Sequence, residues 1–184
     1  PTINGKDNPI FNQVPFSYIE GFDVPQTREI TRKLGRLMGL KFDEIIYGRL
    51  TDDFGGHPFL IRHVCSILHR ISPRERPVFV DKALYENAKT RFNDEYANYM
   101  EMILNVLKQF YGDEYEMLKY LALGDIPTFN QFSQLSPYYT NHLLGYGIVS
   151  KHNSNFSFRI ESVREYLLRM HRLKKLNLSS EEML

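Results

Sequence analysis

The chain has 184 residues, 42% of them hydrophobic and 14% aromatic, which is enough for a buried core in one or two domains. Its 23 Lys and Arg residues nearly balance its 22 Asp and Glu residues, for a formal net charge of +1, so the overall charge does not indicate binding to nucleic acid or an anionic membrane. The single cysteine, Cys65, excludes an internal disulfide and a cysteine-based zinc site.

The N-terminal 22 residues hold several prolines and glycines that interrupt structure and, at residues 16–19, an apolar run compatible with a short strand. The chain begins with Pro1 rather than methionine, so we expect this segment to be a linker or the tail end of a domain in a longer polypeptide. No apolar run approaches the roughly 18 residues of a membrane helix, and no signal-peptide core is present. We therefore predict a cytoplasmic protein without a membrane partner.

Two amphipathic helices are predicted next. Asp23 and Gln26 have the spacing of a capping box, with Pro25 in the first turn, and Gly39 supplies the C-cap of the first helix. The predicted apolar faces are Ile30, Leu34, Leu37 and Met38 in the first helix and Phe42, Ile45, Ile46 and Leu50 in the second.

A glycine pair precedes the third helix, which is predicted to run from Pro58 to about Ile71. Gly55 and Gly56 allow the backbone to turn sharply and to approach another group closely. A proline is well accommodated in a first helical turn, and helix N-termini favour anions. The alternative is a plain loop-to-helix junction.

A proline-bounded connector at residues 72–77 leads to an extended piece at 78–80, after which Asp81 caps another helix. In the second half of the chain, the pattern predicts a long helix from Asp94, followed by a second helix and a short third helix. A turn, a fourth helix and a strand-turn-strand unit come next, before a last helix. This order is typical of a winged helix. Its predicted elements are residues 94–110, 114–123, 125–135, 136–145, the strands 148–151 and 156–160 around the turn 152–155, and the last helix 161–176.

The predicted fold is mainly α, with a small helical-bundle lid followed by a winged-helix domain that has one short β-hairpin. The predicted domains are a tail or linker at residues 1–22, the helical lid at 23–92, the winged helix at 93–176 and a C-terminal tail at 177–184.

The series of a capped helix, a second helix, the Gly-Gly-His-Pro junction, a third helix and a winged helix resembles the C-terminal part of STAND-type AAA+ ATPases, the signal-transduction P-loop NTPases. The resemblance covers roughly residues 16–166. In that family a Gly-x-Pro motif at the start of a lid helix touches the base and sugar of the nucleotide. The resemblance implies a regulatory part of an ATP-binding protein that relays the nucleotide state to a protein effector.

Carried over to this chain, the resemblance implies nucleotide contacts at Gly55, Gly56, His57 and Pro58. Arg62 lies one helical turn after Pro58 and on the same side of the helix, where a sensor arginine of related ATPases reaches a β- or γ-phosphate. The alternatives are a solvated surface position for Arg62 and a helix-capping role for His57.

Catalytic residues are not assigned. The sequence has no Gly-x-x-x-x-Gly-Lys-[Ser/Thr] string and no hydrophobic strand ending in paired acids, so the resemblance implies that ATP or ADP with Mg is held by a preceding P-loop ATPase domain. Some members of the family have Met-His-Asp where the last strand enters the last helix. Here Ile160-Glu161-Ser162 occupy those positions, without the histidine that would contact ADP. No metal-binding spacing is present.

Two other functions remain open. A DNA-binding winged helix would use Asn141, Lys151 and Arg159, but the would-be recognition helix at 136–145 contains no lysine or arginine, and most affinity for DNA comes from cationic contacts with phosphates. A protein-interaction module without a ligand would instead use an exposed apolar patch on the lid.

Overall fold

The computed structural model describes residues 2–3, 6–7, 19–153 and 155–181. Within this part the protein is mainly helical, with nine α-helices, one 3₁₀ helix and three two-stranded sheets. The predicted mainly α fold is therefore confirmed. Residues 16–18 of the predicted first strand and residues 182–184 of the predicted tail lie outside the described residues. Residues 177–181 of that tail instead continue the last helix, which is longer than predicted.

The first long helix, α1 (Val24–Met38), begins and ends where the sequence predicts. Asp23 Oδ1 accepts a hydrogen bond from the Gln26 amide at 2.8 Å, and Gln26 Oε1 accepts one from the Asp23 amide at 3.0 Å. Gly39 ends the helix in the left-handed conformation, with φ of 66°. Two donors that the first turn leaves unpaired are thereby satisfied within the segment itself.

The buried face of α1 differs from the predicted one. Thr27, Thr31 and Gly35 are its buried residues, whereas Leu37 is 87% exposed. Small side chains allow α1 to approach its neighbours closely, since a Cβ atom on Gly35 would lie 2.8 Å from the Leu40 carbonyl oxygen. Close backbone packing therefore outweighs the burial of larger apolar side chains along this helix.

A short parallel sheet joins β3 (Leu40–Phe42) to β4 (Val78–Val80). The extended piece at 78–80 is confirmed. Phe42 was expected in the second helix but belongs to β3, because α2 (Glu44–Phe54) starts only after Asp43, whose carboxylate accepts from the Ile45 amide. The other two sheets pair β1 (Thr2–Ile3) with β2 (Lys6–Asp7) and β5 (Val149–His152) with β6 (Asn155–Phe158), both antiparallel.

Two further helices of the first half are confirmed, namely α3 (Pro58–Ile71) and α4 (Lys82–Glu95). Asp81 caps α4 by accepting from the Leu84 amide at 2.9 Å. This helix runs across the predicted domain boundary between residues 92 and 93, and the division into domains stays a prediction.

The second half has the predicted order of elements with shifted ends. The helix expected from Asp94 is interrupted at Tyr96, and the segment 136–145 is a 3₁₀ turn followed by a short α-helix. The hairpin turn is tighter than predicted, because His152 and Asn155 pair with each other. The elements are α5 (Ala97–Phe110), α6 (Gly112–Leu123), α7 (Ile126–Leu135), the 3₁₀ helix Pro137–Thr140, α8 (Asn141–Gly145) and α9 (Glu161–Glu181).

The hydrophobic core is continuous across both halves of the chain. Phe54 from α2 and Phe92 from α4 pack edge to face, with ring centroids 4.9 Å apart, and Val163 and Leu167 of α9 belong to the same buried cluster. Among the described residues, none of the helices has the length and apolar character required to cross a membrane.

Candidate functional site

The turn between α2 and α3 depends on two glycines in the left-handed region, Gly55 with φ of 62° and Gly56 with φ of 66°. The Gly56 amide donates to the Thr51 carbonyl oxygen at 3.1 Å, and the His57 amide donates to the Phe54 carbonyl oxygen at 3.0 Å. Residues with a side chain rarely adopt such φ values. The turn is therefore fixed to the last turn of α2.

The segment preceding α1 makes the closest approach to this turn. The Phe22 amide donates to the Gly56 carbonyl oxygen at 2.8 Å. A Cβ atom on Gly56 would lie 1.9 Å from the Phe22 carbonyl oxygen, and one on Gly21 would lie 2.1 Å from the Gly55 carbonyl oxygen. The close approach that these glycines permit is thus used by the protein's own backbone.

A third segment, the junction between β6 and α9, meets the other side of the same turn. A Cβ atom on Gly55 would lie 2.7 Å from Ile160 Cγ1 and 2.8 Å from the Arg159 carbonyl oxygen. Arg159 also reaches the first segment, where Nη2 donates to the Gly21 carbonyl oxygen at 3.3 Å. Three distant parts of the chain therefore meet at Gly55 and Gly56, which we call the diglycine junction (Gly21–Phe22, Gly55–Gly56 and Arg159–Ile160).

His57 occupies the N-cap position of α3 but makes no side-chain capping hydrogen bond, contrary to the capping alternative. Its Nδ1 atom is buried and has no hydrogen-bond partner among the described residues. Burial is the largest influence on the pKa of His57 and lowers it. The imidazole is therefore held neutral near pH 7.

Pro58 and Arg62 are both exposed on α3. Their spacing of four residues places them on one side of the helix. Arg62 makes no hydrogen bond and no ion pair with any described residue, although its charge contributes to lowering the pKa of His63. Its guanidinium is therefore available to an anion.

An aromatic cluster beside Pro58 was not predicted from the sequence. The Phe59 ring lies 4.2 Å from the His63 ring and 4.8 Å from the Tyr99 ring between centroids, and His63 Nδ1 is hydrogen bonded to the Tyr96 hydroxyl. The four-residue spacing of Phe59 and His63 signals one half of the cluster. The tyrosines come from a distant segment, and no local pattern connects them to α3.

A largely buried ionic network was also missed. Lys89 Nζ lies 2.9 Å from Asp53 Oδ1 and 2.8 Å from Glu165 Oε1, and Tyr85 donates its hydroxyl proton to Asp53 Oδ2 at 2.7 Å. The side chains of Lys89 and Asp53 are each 14% exposed. We call these three charged residues the Lys89 bridge (Asp53, Lys89 and Glu165), which connects α2, α4 and α9.

Two further hydrogen bonds hold the Lys89 bridge in place, one to a carboxylate and one to a backbone carbonyl group. Asn93 Nδ2 donates to Glu165 Oε2 at 3.1 Å, and Ser162 Oγ donates to the Asp53 carbonyl oxygen at 2.9 Å. Burial by itself would lower the pKa of Lys89, but hydrogen bonds and charges from Glu165 and Asp53 outweigh it and raise that pKa. The ammonium is therefore charged throughout the neutral range.

The three candidate DNA contacts differ in availability. Asn141 is exposed at the start of α8, Lys151 lies 5.1 Å from the centre of the Phe156 ring, and Arg159 is engaged by Gly21. The buried Glu114 carboxylate of α6 accepts from the amides of His142 and Leu143, both at 3.1 Å. The N-terminus of α8 is therefore already bound to an anionic group of the protein.

A groove of about 530 Å³ opens between the diglycine junction and the β5–β6 hairpin. Its lining includes one guanidinium group, from Arg159, one imidazole ring, from His152, and five carboxylates. This excess of carboxylates repels phosphate groups. The acidic lining residues are Glu20, Asp23, Asp52, Asp53 and Glu161.

The chain was compared with family models, curated proteins and solved structures. None of them matches. In the described part of the chain, no group of three or more His, Cys, Asp or Glu side chains is arranged to hold a metal ion.

Proposed function

We propose that this protein is the regulatory lid and winged-helix part of a STAND/AAA+-like ATPase. It contacts ATP or ADP held with Mg by a P-loop domain outside this sequence, and it relays the nucleotide state to a protein effector. The observation that carries the proposal is the pairing of exposed Pro58 with an unpaired Arg62 on one side of the first turns of α3.

The chemistry of this helix end suits a nucleotide. The Pro58 ring offers an apolar surface to a base or sugar, and the positive end of the α3 dipole favours a phosphate. Arg62 adds a guanidinium that can bind two phosphate oxygens at once. The carboxylate-rich groove lies at the hairpin side of the junction, so the phosphates would be expected on the Arg62 side of α3.

The diglycine junction supplies a physical route for a relay. Phe22, Gly56 and Ile160 belong to three segments that touch around one turn. A ligand that binds better to one arrangement of the α3 start shifts the population of that arrangement. The junction between β6 and α9 must then adjust, because it is packed against Gly55.

The proposal is tested by calorimetric titration of ATP and ADP into this chain and into a chain extended N-terminally by roughly 150–200 residues, a typical domain length. We expect tight binding only in the extended chain. Arg62→Met should weaken ATP binding about tenfold, since a charge-assisted hydrogen bond is lost, and Pro58→Ala should weaken it less.

Arg74→Met is the matched control, because Arg74 is exposed in the connector after α3 and has no ion pair with the described residues. Unchanged affinity in both the Pro58 and Arg62 variants would remove the site assignment. Absence of nucleotide binding in the extended chain would refute the proposed function.

A ligand-free protein-interaction module is the second candidate, favoured by the exposure of large apolar side chains in the first half of the chain. Leu37 of α1 is 87% exposed and Ile45 of α2 is 56% exposed. This function predicts that neither nucleotide nor duplex DNA binds in low salt. DNA binding that falls steeply with salt would instead support the winged-helix regulator.

A further inference from the structure

We propose that Lys89 is a positioning residue that connects α9 to the turn in front of α3, so that a displacement of α9 is transmitted to Gly55 and Gly56. The displacement is transmitted through the ion pairs of the Lys89 bridge. The ionic path itself is a property of this chain alone, and only its use in nucleotide sensing rests on the proposed function.

The first step concerns the end of α2. Asp53 precedes Gly55 by two residues, and it is held at two points. Its carboxylate is bound by Lys89 and Tyr85, and its carbonyl oxygen accepts from the Ser162 hydroxyl. The last turn of α2, which supplies the carbonyl oxygens that fix Gly56 and His57, is therefore oriented by groups from α4 and α9.

The second step concerns α9. Its first half is packed, with Val163 2% and Leu167 5% exposed, whereas residues 169–175 are all exposed. Glu165 lies in the packed half and is the α9 side chain that contacts Lys89. A partner that binds the exposed half can tilt the helix, and Glu165 then moves relative to Lys89.

The third step concerns charge. Two carboxylates share one ammonium in the Lys89 bridge, so the bridge has an excess negative charge. If Glu165 withdraws, Lys89 remains paired with Asp53, and no cation is left buried and unpaired. Because leaving a buried charge without a partner is strongly destabilising, this arrangement permits two states of α9 at a modest difference in free energy.

A second ion pair between α9 and α4 provides the control. Arg169 Nη1 lies 3.0 Å from Asp94 Oδ1, so this pair connects the same two helices as Lys89 and Glu165. It makes no contact with Asp53 or with any other residue of α2 among the described contacts. Loss of this pair tests the general effect of removing a bond between α9 and α4.

The experiment is amide hydrogen exchange in this chain for Lys89→Met, Lys89→Arg and Arg169→Met. Exchange at Gly56 and His57 should accelerate about tenfold in Lys89→Met, because their acceptors on α2 become less ordered. We expect near wild-type exchange in Arg169→Met and partial recovery in Lys89→Arg. Equal acceleration in Lys89→Met and Arg169→Met, or acceleration spread evenly over all helices, would overturn the proposal.

Glu165→Gln provides an independent test of the proposal, and this test remains available if Lys89→Met does not fold. This change removes the negative charge of Glu165 and leaves the Lys89–Asp53 pair intact. Exchange at Gly56 and His57 should still exceed that of Arg169→Met, because Lys89 then holds Asp53 without the restraint that Glu165 places on it. No increase over that control would show that α9 does not act on the turn through Lys89.

The link to nucleotide is measured separately in the N-terminally extended chain. Saturating ATP should change exchange in residues 161–167 of the wild type, and this change should be lost in Lys89→Met while ATP still binds. A retained change would overturn the use of this path in sensing. Failure of the extended chain to bind ATP would refute the proposed function and leave the exchange result in the shorter chain to decide the ionic path.

Discussion

Gly56 shows how a single residue can be fixed by its own surroundings. Its φ of 66° lies in the left-handed region, and its missing side chain makes room for the backbone of Phe22. The sequence predicts that glycine is needed here for close approach. It does not reveal what approaches, because Phe22 lies far away along the chain and no local pattern joins the two residues.

Gly56→Ala should lower the free energy of unfolding by about 3 kcal/mol, the sum of the left-handed backbone cost and of a backbone clash. Gly48→Ala is the matched control in α2, since a Cβ atom there has no neighbour within 4 Å. That change should raise stability by up to about 1 kcal/mol, because alanine favours the helix. Denaturant melts of both variants measure the difference, and a Gly56→Ala protein as stable as the wild type would contradict the described contact.

At the scale of elements, the sequence predicts correctly those features that depend on residues close together in the chain. The Asp23 capping box and Pro58 each place a helix start correctly, because the capping bonds of Asp23 lie within one turn and the fixed φ of Pro58 is a property of that residue alone. Strand β3 and the Lys89 bridge are missed because their partners lie far away in sequence. The α1 face is misjudged at Leu37 because periodicity ranks side chains by hydrophobicity, whereas small residues decide how closely a helix can pack.

The contribution of the Lys89 bridge to stability should decrease at alkaline pH. The folded state raises the pKa of Lys89 above its ordinary value of 10.5, so the amine binds its proton more tightly in the folded chain than in the unfolded one. Its contribution is complete below the unfolded pKa and is lost as pH rises through the folded pKa.

Lys89→Met should therefore be less stable than the wild type by about 2 kcal/mol at pH 7, with a difference that is constant from pH 7 to pH 9 and shrinks above about pH 10.5. Urea melts at each pH measure this difference. Lys82→Met serves as the control, since Lys82 is exposed at the start of α4. A difference that grows with pH would contradict the assigned role of Lys89.

At the scale of the whole molecule, the buried cluster joins α2, α4 and α9 without interruption. The mainly helical fold follows from composition and helical periodicity, and both could be read from the sequence. The meeting of the diglycine junction with the entry to α9 could not, because it depends on the packing of three segments at once.

A shared core predicts that the chain unfolds in one cooperative transition. Cys65 offers a probe, since it is 1% exposed and burial raises its pKa to about 12, so the thiol should be unreactive in the folded protein. Thiol labelling and far-ultraviolet circular dichroism should therefore report the same urea midpoint. Labelling that is complete before the helical signal is lost would indicate that the α2–α4 region unfolds on its own.

The diglycine junction also has a consequence for sequence variation. Gly21, Gly55 and Gly56 each face backbone or buried atoms at the point where a side chain would stand. The three positions are therefore expected to vary jointly among related chains, although one of them lies well before the other two. A homologous chain that replaces Gly21 while retaining Gly55 and Gly56 would have to shift its segment before α1, and glycine at all three positions is the sequence mark by which other chains with this junction can be recognised.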